Sequence, residues 1–252
     1  MLEKHIAVQA TYNSCECELE HASTCLEGTC ESVIEKISIW SKANNGLPIC
    51  WLHRPAGSGK STIAHTIVEQ CNRDQKLAFS FFFSRGKRDC SNTTKFVPTF
   101  AYQLATKSSL AIQTLMCCTL AKDRSILSQR LGDQIKKLIV DPILTTAEPT
   151  HAMIVVIDGL NECGKEVLLK ELIWLLVDTT TQLPFRFIFT SQPETHVQHT
   201  FEYSQTKSKT YPLELWNFNA HDDICAYLRL RLLEIYKTEN RLMWDVPKPW
   251  PS

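Results

Sequence analysis

Residues 49–63 have the sequence ICWLHRPAGSGKSTI, in which three kinds of local structure are expected to follow one another. Residues 49–53 are an apolar run typical of a buried strand. The proline and glycines of residues 54–59 predict a tight loop. Apolar side chains then recur at helical spacing over residues 61–71. This order indicates a phosphate-binding loop, although a glycine-rich turn without that role has the same local appearance.

The residue types of this loop suit the binding of a nucleoside triphosphate. Gly57 and Gly59 allow backbone N–H groups to approach phosphate oxygens, next to the partial positive charge of a helix N-terminus. Lys60 would reach the β- and γ-phosphates, and the Ser61 hydroxyl would bind Mg²⁺. The candidate nucleotide-binding residues here are Arg54, Pro55, Ala56, Gly57, Ser58, Gly59, Lys60, Ser61 and Thr62.

Arg54 is the one departure from the loop pattern, because it stands where the first glycine is expected. If the backbone there is left-handed, a residue other than glycine costs about 1–2 kcal/mol. Alternatively, the Arg54 side chain lies beside the phosphates and adds attraction. The sequence leaves both possibilities open.

Residues 153–163, MIVVIDGLNEC, form an apolar strand that ends in a carboxylate. Phosphate-loop enzymes place the acidic residue on the metal side of the site at such a strand end. Asp158 is therefore predicted to bind Mg²⁺ together with Ser61, although it could instead cap the next helix. Glu162 follows on the connecting turn and is the candidate catalytic residue, because a carboxylate there could orient an attacking water molecule.

A further strand is predicted at residues 185–190, within the sequence FRFIFTSQPE. Ligand contacts gather at the carboxyl ends of strands in open α/β sheets. Thr190, Ser191 and Gln192 are therefore candidate sensors of the γ-phosphate, and Gln192 joins the cofactor-binding set. A proline-terminated strand with a capping serine is an equally good interpretation.

Short apolar runs alternate with helical patterns along the whole chain, which predicts an α/β fold. We expect a three-layer P-loop NTPase sandwich around a five-stranded, mainly parallel sheet, with the last strand at an edge because it contains Pro212. A helix at 100–121 and another at 125–144, cut short by Pro142, are expected among the connections. The remaining predicted strands are 48–53, 77–83, 153–157 and 211–215, and the remaining helices are 31–42, 61–71, 165–177 and 220–236.

Composition excludes several classes of protein. The 27 basic and 27 acidic residues balance, so the basic footprint of a nucleic-acid-binding domain is absent. Neither a signal peptide nor an apolar run long enough to span a membrane is visible, which predicts a cytoplasmic protein. The 11 cysteines are scattered and are expected to be reduced.

Some cysteines and histidines invite other interpretations. Cys15, Cys17, His21, Cys25 and Cys30 are spaced loosely like metal ligands, but they match no zinc motif and zinc is disfavoured. The remaining apolar-flanked cysteines, Cys50, Cys117 and Cys118, are expected to be small core residues.

The ordered motifs together resemble a NACHT-type signalling NTPase of the STAND class, in the nephrocystin-type N-terminal family abundant in fungal NOD-like receptors. The resemblance rests on GTC at 28–30, the phosphate loop, FFFSR at 81–85, PTFAYQL at 98–104, IDGLNEC at 157–163 and TSQPE at 190–194. It implies an ATP or GTP switch, with Mg²⁺, that controls assembly with protein partners or further copies. It also divides the chain into an extension (1–27), a nucleotide-binding domain (28–240) and a tail (241–252).

Four positions depart from the pattern of that family. Cys30 and Gln192 stand where relatives carry arginine, Arg54 replaces a glycine, and Asn161 replaces an aspartate. We therefore expect a signal-transduction module that binds a nucleotide and hydrolyses it weakly or not at all. The alternatives are an active NTPase that uses Glu162, and a degenerate scaffold that binds no nucleotide.

Overall fold

The computed structural model describes residues 2–12, 14, 24–43, 46–87, 89–146, 153–218 and 221–239. Within these ranges, five strands alternate with helices. The strands are β1 (Ile49–His53), β2 (Leu77–Phe82), β3 (Met153–Asp158), β4 (Phe185–Ser191) and β5 (Thr210–Glu214). The helices are α1 (Glu31–Lys42), α2 (Lys60–Arg73), α3 (Phe96–Lys107), α4 (Leu110–Lys122), α5 (Leu131–Ile135), α6 (Asp141–Thr146), α7 (Glu166–Thr179), α8 (Thr195–Glu202), α9 (Ser204–Lys207) and α10 (His221–Glu239).

The five strands form one sheet in the order β2-β3-β4-β1-β5, and every neighbouring pair is parallel. The predicted α/β sheet is thus confirmed, and it is fully parallel. β5 lies at an edge, as its proline predicted. Parallel strands need helical crossovers, which explains why helices separate them along the chain.

Successive side chains of β1 enter two different cores, as the period of a strand requires. Ile49 and Trp51 join a large core that also contains apolar side chains of α3, α4, α7 and α8. Cys50 and Leu52 join a smaller core with α1 and α2 on the other face. Helices therefore cover both faces of the sheet, which is the predicted three-layer sandwich.

The helix predicted at residues 100–121 is in fact two helices, α3 and α4. The helix is interrupted at Ser108 and Ser109. The Ser109 hydroxyl accepts a hydrogen bond from the Ile112 N–H and so caps α4. Serine in this position competes with the helical backbone for hydrogen bonds. The apolar pattern continues across the break, which is why it suggested one helix.

Pro142 does not end a helix, contrary to the prediction. Residues 136–140 between α5 and α6 form a π-helical turn, and Pro142 lies in the first turn of α6. A π-helical turn changes the hydrogen-bond ladder from the α pattern. Proline is tolerated in a first helical turn because the N–H that it lacks would have no helical partner there.

Cys117 and Cys118 were expected in the core, and this was wrong. The buried side chains of α4 are Ile112, Met116 and Leu120, a stripe at intervals of four residues. Both cysteines lie off this stripe and are exposed, whereas Cys50 is buried as predicted.

Helix α10 differs from the other long helices because its apolar side chains are exposed. The large apolar side chains of α10 with more than 40% exposure are Ile224, Tyr227, Leu228, Leu230, Leu233, Ile235 and Tyr236.

No helix within the described ranges is long and apolar enough to cross a membrane. Cys15, Cys17 and His21 lie outside those ranges, and the described residues contain no group of three or more potential metal-binding side chains.

Candidate nucleotide-binding site

The carboxyl ends of β3, β4 and β1 lie side by side in the sheet. His53 at the end of β1 pairs in register with Ser191 of β4, and Ile157 of β3 pairs with Phe189. The three polar segments predicted from the sequence therefore converge on one edge of the sheet. Sequence spacing alone does not reveal this, because more than 130 residues separate the first segment from the last.

The loop after β1 has the backbone that its glycines allow. Gly57 and Gly59 have φ angles of 73° and 79°, in the left-handed region that favours glycine. A Cβ atom would meet nothing within 4 Å at either position, so the loop surface there is open. Gly59 directly precedes α2, whose first N–H groups lack helical partners and point toward the loop.

Lys60 folds back over this loop. Its Nζ donates hydrogen bonds to the Pro55 carbonyl at 2.9 Å and to the Ser58 hydroxyl at 3.2 Å. Burial lowers the pKa of Lys60, while the negative charges of Asp158 and Glu162 act to raise it. The ammonium group thus contacts the loop and is near enough to both carboxylates for their charges to act on it.

Asp158 is a buried carboxylate at the end of β3. The Thr190 hydroxyl donates a hydrogen bond to its Oδ1, and the Ser61 side chain is also hydrogen-bonded to it. Burial raises the pKa of Asp158, and these two hydrogen bonds oppose the rise. Asp158 does not cap the next helix, since the 3₁₀ turn that follows begins after Gly159 and has no side-chain cap.

A carboxylate next to a serine hydroxyl is a donor set that suits Mg²⁺. Magnesium prefers oxygen ligands and is commonly held by one or two protein groups and the phosphates of the substrate. Ser61 and Asp158 provide those oxygens at the N-terminus of α2. The residues present therefore fit the metal that the sequence motif implies.

The turn after β3 requires a glycine, which the sequence analysis did not single out. Gly159 has a φ of 70°, and a Cβ there would lie 3.0 Å from the Phe83 carbonyl oxygen. Its N–H donates to the Thr190 hydroxyl at 3.1 Å. Thr190 therefore connects the ends of β3 and β4. These contacts indicate a structural role for its hydroxyl and not that of a γ-phosphate sensor.

Glu162 contacts Arg85, another residue that sequence reasoning missed. The Arg85 N–H donates to Glu162 Oε2 at 3.2 Å, and its guanidinium donates to the Asn161 carbonyl at 2.6 Å. The guanidinium also pairs with Glu194 at 3.2 Å. Its signal in the sequence was its position in the FFFSR motif just after β2.

The two other sensor candidates have different surroundings. Ser191 is buried, and its hydroxyl accepts a hydrogen bond from the Trp51 indole N–H at 2.9 Å. Gln192 is only half-buried, and its backbone N–H donates to Asn161 Oδ1 at 2.9 Å. Asn161 is thus a buried link between β3 and β4.

The backbone at Arg54 is unstrained. Among the residues that the structure describes, only Cys30 and Gln75 are non-glycine residues with positive φ. The Arg54 guanidinium donates to the Leu215 carbonyl at 3.2 Å, just after the end of β5. Its charge nevertheless acts to lower the pKa of Lys60, so the two cations influence each other.

The parallel sheet with strand order 2-3-4-1-5 and a glycine-rich loop after β1 define a P-loop NTPase fold. The sequence also matches the family described as nephrocystin 3, N-terminal, over residues 28–192. The chain therefore belongs to this family, which confirms the resemblance found in the sequence.

Solved structures with a similar fold include chains in structures of Drosophila ORC. One match, in ORC bound to poly(dA/dT) DNA and Cdc6, has 15% identity and a TM-score of 0.50, and covers 85% of this chain and 35% of that one. Another, in ORC bound to DNA, has 17% identity and a TM-score of 0.45, with 73% and 29% coverage. This chain thus spans about a third of those chains, and the likeness concerns the fold alone. No curated protein matches the sequence.

Proposed function

We propose that this protein binds a Mg²⁺–nucleoside triphosphate, ATP or GTP, at the loop between β1 and α2. The observation that carries the proposal is the contact between Ser61 and Asp158, next to Lys60 at the N-terminus of α2. It brings two oxygen ligands for Mg²⁺ and a cation for phosphate to one place. A glycine-rich turn without this role would not need a buried carboxylate beside it.

Each residue of the loop has a distinct role in this proposal. The backbone N–H groups of residues 56–62 would donate hydrogen bonds to phosphate oxygens, assisted by the helix N-terminus. Lys60 would exchange its bonds to Pro55 and Ser58 for bonds to the phosphates. Arg54 would add long-range attraction, because its guanidinium is held by the Leu215 carbonyl just after β5 and not by the loop. Bound Mg²⁺ would supply positive charge that neutralises the phosphates.

We further propose that hydrolysis is weak or absent. Glu162, the candidate group for orienting water, already accepts a hydrogen bond from Arg85. Asn161 is an amide and cannot act as a base, and its side chain is committed to Gln192. Gln192 carries no charge with which to stabilise a transition state. An active NTPase that uses Glu162 is the second candidate, since Arg85 could provide the missing positive charge.

The output of such a module would be assembly, not chemistry. The family resemblance implies a signal-transduction switch that contacts protein partners or further copies, and the exposed apolar side chains of α10 support contacts with protein. The domain would comprise residues 28–240, between the extension 1–27 and the tail 241–252. The balanced charge supports a protein that does not bind nucleic acid, although an ORC structure of similar fold contains DNA. The scattered cysteines, expected to be reduced, support a cytoplasmic location.

Titration with fluorescent ATP and GTP, with and without Mg²⁺, tests nucleotide binding. We expect saturable, Mg²⁺-dependent binding and a Kd that rises about 10- to 150-fold in Lys60→Ala, since a hydrogen bond to a charged group contributes about 1.5–3 kcal/mol. Lys122→Ala is the matched control, because Lys122 is an exposed lysine at the end of α4. Absence of binding by folded protein would favour a scaffold that binds no nucleotide.

Phosphate release by the same samples separates the switch from the active NTPase. We expect turnover at or only slightly above the background without protein, with or without Mg²⁺. Turnover that disappears in Glu162→Gln, with the Kd unchanged, would establish the active enzyme instead.

A further inference from the structure

Two thiols contact each other in the short segment that leads into α1. The Cys30 side chain donates a hydrogen bond to the sulfur of Cys25. Both side chains are half-buried, and both pack against the smaller core of the sandwich. Gly28 between them has a φ of 82°, so the chain turns sharply and brings the two residues together.

The backbone holds each thiol from a different side. The Cys25 N–H donates to the Thr66 hydroxyl of α2 at 2.8 Å, and the Cys30 N–H donates to Asp223 Oδ2 of α10 at 2.9 Å. Cys30 also has a left-handed backbone, with a φ of 58°, a conformation that is unfavourable for a non-glycine residue. The surrounding helices therefore maintain the contact against this cost.

The two thiols are chemically unequal. The hydrogen bond from Cys30 lowers the pKa of Cys25 to about 7. That same hydrogen bond, followed by burial, raises the pKa of Cys30. The thiolate is the nucleophilic form of cysteine. Cys25 accepts the hydrogen bond between the two thiols and Cys30 donates it, so we assign Cys25 as the attacking sulfur and Cys30 as the resolving one.

We propose that Cys25 and Cys30 form a reversible disulfide site whose oxidant is a peroxide such as hydrogen peroxide. The Cys25 thiolate attacks one peroxide oxygen, the O–O bond breaks, and the departing hydroxide takes up a proton to become water. Cys25 is then a sulfenic acid. The Cys30 sulfur attacks the Cys25 sulfur, the S–O bond breaks, and the departing hydroxide takes the Cys30 proton as a second water.

The electrons balance in this sequence, because two thiols lose two electrons and the peroxide gains them. A dithiol reductant reverses the reaction by thiol–disulfide exchange. The bond would close the segment from Cys25 to Cys30, which is anchored to the phosphate-loop helix α2 at one end and to α10 at the other.

Peptide mapping of the peroxide-treated protein tests this site. The full chain is reduced, freed of reductant, exposed to hydrogen peroxide at pH 7, alkylated and cut with a glutamate-specific protease. Cleavage after Glu20, Glu27 and Glu31 puts Cys25 on peptide 21–27 and Cys30 on peptide 28–31. We expect these two peptides joined by a disulfide that dithiothreitol reverses, while Cys71 remains open to alkylation.

Trapping the intermediate tests the assigned order. In Cys30→Ala, dimedone should label Cys25, whereas in Cys25→Ala it should leave Cys30 unlabelled. Cys71→Ala is the matched control, because Cys71 is a half-buried cysteine on α2 and its removal should leave the bond intact. A bond from either cysteine to Cys15 or Cys17, or oxidation no faster than that of Cys71, would overturn the proposal. The peptide mapping uses the unmodified chain, so its result depends neither on nucleotide binding nor on the folding of a variant.

Discussion

His65 is a histidine without a charged role, buried in the helix that follows the phosphate loop. Only 6% of its surface is exposed, and its ring stacks on Phe82 with centroids 4.0 Å apart. Burial lowers the pKa of His65 to about 4, because a charged imidazolium would lose its hydration there. The unfolded chain, in which a histidine titrates near 6.5, therefore binds the proton more readily.

This difference predicts that His65 makes the protein less stable in mild acid. Its contribution to stability is fully present above about pH 6.5 and is lost as the pH falls toward 4. Between pH 7 and pH 5 the free energy of unfolding should fall by about 2 kcal/mol from this residue alone. His65→Phe keeps a stacked ring and should remove that part of the pH dependence in urea denaturation.

His199→Phe is the control for this measurement, because His199 is exposed on α8. It should retain the pH dependence of the original protein. If His65→Phe and His199→Phe lose equal stability between pH 7 and pH 5, then His65 is not the cause.

The edge strand β2 shows how a helix completes a sheet. Gln103 of α3 accepts a hydrogen bond from the Ser80 N–H at 3.1 Å and donates one to the Ser80 carbonyl at 2.9 Å. The amide side chain thus takes the place of a neighbouring strand at the buried middle of β2. An edge paired in this way offers fewer free backbone groups to another chain.

We expect Gln103→Leu to destabilise the protein by about 2–4 kcal/mol, because two buried backbone groups would lose their partners at about 1–3 kcal/mol each. Chemical denaturation measures this loss. Gln113→Leu, on the half-exposed face of α4, should change the free energy of unfolding by less than about 0.5 kcal/mol. Equal effects of the two substitutions would contradict the role of Gln103.

The candidate nucleotide-binding site is formed by the ends of strands that are far apart in the chain. Lys60 follows β1, Asp158 ends β3, and Thr190 and Gln192 lie at and after the end of β4. A ligand at this edge would therefore contact the native state and not the unfolded chain. Ligand binding should raise the stability of the whole fold by mass action.

Thermal unfolding measures this linkage. At a nucleotide concentration of 100 times the Kd, with Mg²⁺, we expect about 2.7 kcal/mol of added stability. For a domain of this size that corresponds to a rise in Tm of roughly 5–10 °C. Lys60→Ala should show a much smaller rise at the same concentration. A Tm rise that is equal in both proteins would show that the ligand binds elsewhere.

The sequence by itself determined the class of fold and the location of the candidate site. Buried parallel strands are nearly continuous apolar runs, and the glycines, lysine and serine of the loop form a short, continuous motif. Both signals are local, so they can be recognised without a structure. The same reasoning failed at Pro142, where an expected helix end is absent, and at residues 108–109, where an unexpected break occurs. Both outcomes depend on hydrogen bonds that periodicity does not report.

Only the tertiary structure decided which residues surround the loop. Arg85, Gly159 and Gln103 act through partners about 20 to 110 residues away, and no local pattern indicates such a pairing. The contact of Cys25 with Cys30 likewise depends on hydrogen bonds to α2 and α10. Long-range contacts of this kind form only when the sheet brings distant strand ends to one edge, which is why spacing along the chain does not contain them.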